Sequence, residues 1–401
     1  MQNSVDLKRS GYRRRIMSII RQQGQVSRFD LKKISKYSMT TTLETVESLL
    51  AEKLIIETGI GESTGGRKPI WLSVNPQGGY FFGVEFNAEF IYSIILDFSG
   101  NIVYRGQEAL PTHPVMVNLV IERIKQAIRD MQFSLGENAR VFGIGLGVPG
   151  FIDMDKGVPL KYNYILEWAD VSLKSEIEAE FKLPVYIENN VNAMALAHKW
   201  LDYHGQCEDL IVMAVRTGIR ISTITNNRLL RGKHYAAGEI DHMRLPSAKT
   251  LCVCGGMGCV VSEVSNRALL SKVEMGFEAN SHLKTKELMT LSGRITPSIE
   301  DYVGALRAND ADALGLALET ARFMGEALVY AVLMTNPSRI ILSVDWLREA
   351  PICLDEIKRM VDERCPMYST RHLHIELSTY GVHVGAIGAA SIVLQNNHYL
   401  A

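Results

Sequence analysis

Along the first 75 residues the apolar positions fall in short stripes at helical spacing, each ended by a turn residue. Ile16, Ile19 and Ile20 mark one stripe within 12–23, and Gly24 ends it. Ser27 offers an N-cap, with Asp30 three residues on as its capping-box partner. The helix this predicts runs to Ser35 and buries Phe29, Leu31 and Ile34. A break at 36–37 leads to a second N-cap, Ser38, and a third helix with Leu43, Val46, Leu49 and Leu50 on its inner face. Its first exposed turn reads Met39, Thr40, Thr41, Thr42. Two strand-like runs follow, LIIETG and PIWLSV, with the glycine-rich GESTGGRK between them.

From about residue 80 the pattern changes to strands separated by long helical stretches. FFGVEFNAEFIYSIILDFSGNIVYRG predicts two strands joined by a turn at Ser99 and Gly100. VFGIGLGVPGFID predicts a strand ending in a Gly/Pro turn, and LPVYIENNVNAMALAHKW a strand running into a helix. DLIVMAV, ISTITNN, RLLRG and RIILSV predict further strands, and 113–134 and 314–334 long helices. This alternation indicates an α/β architecture, and 401 residues exceed a single core, so two or three domains are expected.

Charge gives the first part a role. Residues 1–75 hold 13 Lys and Arg against 7 Asp and Glu, and the remainder holds 30 against 37. A basic first domain on an acidic body points to a polyanion partner for that domain alone. Three short helices with a tight break before the third describe a helix-turn-helix, and the two strands with their glycine-rich connection describe a wing. Thr40, Thr41 and Thr42 face base edges in this reading, with Arg28 and Ser38 beside them. Arg67 and Lys68 at the wing tip supply phosphate or minor-groove contacts. The bland alternative is a small helical interaction module.

Cysteine placement adds a candidate metal site. Six cysteines are present, and Cys252, Cys254 and Cys259 crowd into eight residues. With His242 they form H-x9-C-x-C-x4-C, and Gly255, Gly256 and Gly258 permit sharp turns. One imidazole and three thiolates suit tetrahedral Zn²⁺, and four protein ligands make such a site structural. The alternative is a set of reduced core cysteines. No apolar run reaches a membrane span of roughly 18 residues. No apolar segment with a small-residue cleavage site follows the basic N-terminus, so a cytoplasmic protein is expected.

The stretches RRRIMSIIRQQGQVSRFDLKKIS, T-x4-V-x2-L and GxGxSTGGRKPxxLxxNP resemble the N-terminal winged helix of repressors of the ROK family, named for repressors, open reading frames and kinases. The resemblance covers residues 9–76. Residues 78–401 resemble the two-lobed, actin-like ATPase fold of the ROK sugar kinases, and GEIDH with CVCGGMGC resembles the family's zinc motif. The organisation implied is a winged helix-turn-helix over 1–76 and a ROK domain over 77–401. Lobe 1 of that domain spans 77–194 plus 383–401, and lobe 2 spans 195–382.

The resemblance further implies a sugar site from Asn163, Asn189, Asn190, Glu239 and His242, the imidazole touching both zinc and sugar. Two departures stand out: Val261 replaces a family glutamate, and Asn190 replaces the aspartate that serves the kinases as base. The kinase loop DxGGT reads Glu85, Phe86, Asn87, Ala88, Glu89 here, and GTGIGGG reads RTGIRIS over 216–222. A later glycine pair is Ser343 and Val344. A neutral amide is no base, and lost glycines deny phosphates a close backbone approach. The expectation is a non-enzyme that binds no ATP: a homodimeric repressor, with a tetramer as the larger alternative. It would sit on double-stranded operator DNA under control of a small sugar or polyol. Two alternatives stay open: an active ROK sugar kinase with an attached DNA-binding domain, and a repressor controlled by a protein partner.

Overall fold

The structure, a computed structural model, describes residues 4–60, 69–87, 89–111, 114–203, 205 and 207–396. The chain divides into two compact units, Met1–Gln206 with His383–Ala401, and Cys207–Val382. Among the described residues no helix is long and apolar enough to cross a membrane.

The first unit opens with three helices, α1 (Ser4–Gln23), α2 (Arg28–Ser35) and α3 (Met39–Ala51). A three-stranded sheet completes this module, in the order β1 (Val26–Ser27), β3 (Ile70–Val74), β2 (Ile55–Ile60). Both predicted N-caps form. Ser27 Oγ accepts from the Asp30 amide at 3.1 Å with the Asp30 carboxylate returning the bond, and Ser38 Oγ accepts from the Thr41 amide at 3.0 Å. Ile16, Met17, Ile19, Ile20, Leu31, Val46, Leu49 and Leu72 make the core. Three expectations fail. Phe29 is 66% exposed and Ile34 38%, because α2 buries only the stripe centred on Leu31. Leu43 lies at the surface of α3, whose inner face instead takes Thr42 and Thr45. Their hydroxyls donate to carbonyls one turn back, Thr42 to Ser38 O at 2.9 Å and Thr45 to Thr41 O at 2.7 Å, which lets a polar residue go inside.

Arg21 ties α1 to the larger sheet of this unit. Its guanidinium donates to Phe98 O at 2.8 Å and lies 5.5 Å from the Phe98 ring centre. Burial holds its pKa down to about 10, partly offset by Asp97. Phe98 stacks with Phe81 and Phe142 at centroid separations of 5.5–6.0 Å.

That sheet has five strands, in the order β6 (Ile102–Ala109), β5 (Phe90–Asp97), β4 (Tyr80–Phe86), β7 (Val141–Val148), β8 (Val185–Asn189). The first three strands are antiparallel, and β7 and β8 run parallel to β4. The apolar stretch predicted as two strands is therefore three. The extra reversal falls at Asn87, whose Oδ1 accepts from the amides of Glu89 and Phe90, both at 2.8 Å. Helix α4 (Val117–Leu135) lays Val120, Ile124, Ile128 and Met131 against Phe82, Ile144 and Leu146. After α5 (Leu173–Phe181) and β8 comes α6 (Asn190–Ala197).

The last described helix, α10 (Val384–Asn396), returns to this unit and is buried from Val384 to Leu394. It packs on α6, β4 and β7. Its small residues permit near contact of backbones: a Cβ added at Gly388 would meet Ala193 O at 1.8 Å. That packing keeps α6 in the first unit, which ends at Gln206 instead of the expected residue 194.

The second unit repeats the strand order. Its sheet reads β11 (Arg228–Leu229), β10 (Ile219–Thr225), β9 (Leu210–Val215), β12 (Arg339–Ser343), β13 (His374–Leu377). Again three antiparallel strands precede two parallel ones. A short helix, α7 (Val260–Val264), packs on the long α8 (Ala311–Thr335), which packs in turn on α9 (Pro351–Arg364), with Trp346, Met324 and Leu328 in the shared core.

Gly388→Val tests the α6–α10 contact. A branched side chain forces the backbones apart, with an expected loss of about 3 kcal/mol in urea unfolding, at the upper end for overpacked cores. A loss below about 0.5 kcal/mol would show that the helices separate freely.

Candidate functional site

In the N-terminal module the residues expected to meet DNA divide. Ser38 and Thr40 are exposed and Thr41 partly so, at the start of α3. Thr42 is withdrawn: it is fully buried and its hydroxyl is committed to Ser38 O. Arg28 Nη2 is paired with two carboxylates, Glu57 at 2.8 Å and Glu47 at 3.1 Å, so its charge is already partly engaged within the module. Arg67 and Lys68 lie outside the described residues.

In the first unit, Asn189 and Asn190 sit where β8 passes into α6. Asn189 is the N-cap: its Oδ1 accepts from Val191 N at 2.9 Å and Asn192 N at 3.3 Å, and its Nδ2 donates to Gly150 O at 3.1 Å. Asn190 is also buried, and its Nδ2 donates to Glu85 Oε1 at 3.3 Å. Glu188 Oε1 accepts from Asn189 N at 3.0 Å and Asn192 Nδ2 at 2.9 Å. Asn163 is exposed in the turn between Tyr162 and Tyr164, whose rings lie 5.3 Å apart. Glu85 and Glu188, both buried, were missed as members of this cluster. The available signal was a lone carboxylate inside an otherwise apolar strand, YFFGVEF.

Glu239 and His242 belong to the second unit. Glu239 forms an ion pair with Arg220, itself a buried residue of β10. Asp241 Oδ1 accepts from Ile219 N at 2.8 Å, and burial raises its pKa. His242 Nδ1 lies 3.6 Å from Cys252 Sγ, and Cys254 Sγ lies 3.6 Å from Cys259 Sγ. One donor atom from each of the four residues falls within 4.8 Å of all the others.

Local turns build this cluster. Cys252 N donates to Gly256 O at 2.8 Å and Gly255 N to Cys252 O at 2.9 Å, and Cys259 caps α7. The amide of Gly256 points at Cys254 Sγ from 3.4 Å and lowers that thiol's pKa, whereas burial pushes Cys259 up to about 12. Neighbouring ligands of a tetrahedral ion stand about 3.7 Å apart when each metal–sulfur bond is about 2.3 Å. The donor set therefore fits a metal ion, which would displace the proton that burial holds on Cys259.

Asn190→Asp probes the buried cluster. A second carboxylate beside Glu85 has its folded-state pKa raised by like charge and burial, so stability is retained at low pH and lost as pH rises through that value. The expected deficit against the parent chain is about 2 kcal/mol at pH 8, shrinking at pH 5. Equal deficits at both pH values in urea unfolding would show that Glu85 carries no charge that the introduced carboxylate feels.

The geometry agrees with comparisons to known proteins. Residues 81–396 match the model of the ROK family. The xylose repressor of Bacillus subtilis (strain 168) is 30% identical over 391 residues, covering 96% of this chain and 94% of the relative. A solved ROK family transcriptional regulator, a homologue of the Escherichia coli MLC protein, superposes with TM-score 0.79 at 23% identity, covering 96% of both chains. A ROK family glucokinase from Streptomyces griseus, solved with glucose and AMPPNP, superposes with TM-score 0.66 at 26% identity, covering 79% of this chain and all of its own. The two repeated sheets are thus those of the actin-like sugar-kinase fold, and the chain belongs to the ROK family.

Proposed function

We propose that this chain is a sugar-responsive, DNA-binding transcriptional repressor with a winged helix over 1–76 and a ROK domain over 77–401 that performs no catalysis. One observation carries the reading. The likeness to a xylose repressor runs through the N-terminal module and the body alike, whereas the glucokinase likeness accounts for all of the enzyme and only 79% of this chain. The N-terminal module is a basic, three-helix unit with Ser38, Thr40 and Thr41 at the start of its third helix, the element that enters the major groove in such folds. Two copies related by a two-fold axis would read a palindromic operator.

The effector reading assigns Asn163, Asn189, Asn190, Glu239 and His242 to a sugar or polyol, whose hydroxyls need both donors and acceptors. His242, Cys252, Cys254 and Cys259 would hold a structural Zn²⁺ that keeps the loop bearing His242 in shape. Against catalysis stand three local facts. Asn190 donates to Glu85 instead of accepting a proton, Asn87 occupies the turn amides at the first phosphate loop, and Arg220 fills a glycine position of the second.

Gel shifts with a palindromic operator selected from random DNA test the central claim. D-xylose is expected to weaken operator binding at least tenfold, about 1.4 kcal/mol of coupling. Binding indifferent to D-xylose and to a panel of other sugars would remove the effector. The metal is tested separately by cobalt(II): one equivalent should give tetrahedral ligand-field bands, abolished by Cys252→Ser. ATP-dependent phosphorylation of any sugar in that panel would overturn the non-enzyme reading.

A further inference from the structure

Arg220 occupies a place where the kinase pattern has glycine, in the segment aligned with the second phosphate loop. An arginine there invites reading as an anion site, yet its bonds point inward. Its side chain is 7% exposed, its Nη1 pairs with Glu239, and its Nη2 donates to Ala237 O at 3.0 Å and reaches Tyr235 O at 3.5 Å. The flanking residues of β10 hold the same loop. Ile221 N donates to Gly238 O at 3.0 Å, and Ile219 N to Asp241 Oδ1 at 2.8 Å. Gly238 sits at φ +84, and a Cβ there would meet Ile221 O at 1.7 Å, so the loop lies flat against the strand. Three successive residues thus clasp 235–241 just before His242 turns into the cysteine cluster.

A buried guanidinium needs its charge paired, and a carboxylate with two carbonyls suits a planar fork in a way that an ammonium does not reproduce. Resting on the effector reading above, we propose that Arg220 is a positioning residue for an uncharged sugar. It fixes Glu239 in one orientation, leaves lone pairs of that carboxylate for sugar hydroxyls, and withholds its own charge from phosphate. A carboxylate has about four acceptor positions, and one arginine fork uses at most two. An anionic ligand would meet Glu239 first, and the cation behind it is already committed. The loop is then clasped at one end by Arg220 and at the other by the metal ligands, so Glu239 and His242 are presented without the ordering cost of a free loop.

The test uses the full-length chain with its Arg220→Lys and Arg220→Met variants. Two readouts are taken: calorimetry with D-xylose and with glucose 6-phosphate, and hydrogen exchange of the Ala237 and Glu239 amides in sugar-free protein. Exchange at both amides is expected to rise at least tenfold in Arg220→Met and by less in Arg220→Lys. The Kd for D-xylose should weaken at least tenfold in Arg220→Met with partial recovery in Arg220→Lys, and glucose 6-phosphate should bind no variant. Unchanged exchange, or xylose affinity within twofold of the parent in Arg220→Met, overturns the positioning role. Glucose 6-phosphate binding that is lost in Arg220→Met overturns the uncharged class. If Arg220→Met does not fold, Arg220→Lys decides, and parental xylose affinity in it overturns the proposal. A parent chain that binds no sugar removes the effector reading, while the exchange measurement still decides what Arg220 does to the loop.

Discussion

The close crossing of α6 and α10 is the contact on which the first unit's polar cluster depends. A helix beginning almost 200 residues after α6 must come back and lie within backbone contact of it. Only small side chains at the crossing allow that, with Gly388 against Ala193 O. The same helix presses on β4 at Glu85: a Cβ added at Gly385 would meet Glu85 Cγ at 2.6 Å. Glu85 and Asn190, 105 residues apart in sequence, therefore meet because a third segment pins both. Close-packed interiors give little when one partner is enlarged, so the hydrogen bond and the packing stand or fall together.

This dependence explains what could be read from the sequence and what could not. The capping box at Ser27 and Asp30 was legible because both partners lie within one turn. The histidine–cysteine cluster was legible because its four ligands fall within eighteen residues and glycines mark its turns. Glu85 was not, since its partner Asn190 lies 105 residues on, and Arg220 was not, since a lone charge without turn markers carries no address. Thr42 misled for a different reason. A threonine that returns its hydroxyl to the preceding turn is as buriable as valine, and nothing local distinguishes it from exposed Thr40. The reversal at Asn87 was hidden because a side chain, not a glycine, supplies the turn.

The two sheets share one strand order, and under the non-catalytic reading proposed above each would meet the loss of phosphate chemistry in its own way. A nucleotide site needs unpaired backbone N–H groups and room for an anion. In the first unit the amides of Glu89 and Phe90 beyond β4 are taken by Asn87, and the Asn190 side-chain amide is bound to Glu85. In the second unit Arg220 of β10 pairs with Glu239. Asn87, Asn190 and Arg220 each make contacts that hold a loop to its strand or helix, which gives these segments a framework role.

The same framework also reaches the N-terminal module. Strands β4 and β7 run parallel, with Glu85 opposite Gly147 at one end and Tyr80 opposite Val141 at the other. Just inside that second end stand Phe81 and Phe142, stacked with Phe98, to which Arg21 of α1 is bonded. Four to five residues of strand, roughly 15 Å at about 3.3 Å per residue, separate the Asn190–Glu85 pair from that aromatic cluster. A hydrogen-bonded sheet of this kind bends little, so any displacement of α6 would reach Arg21 as movement of the whole sheet. Arg21 is held by one carbonyl and one ring, with its charge already disfavoured by burial.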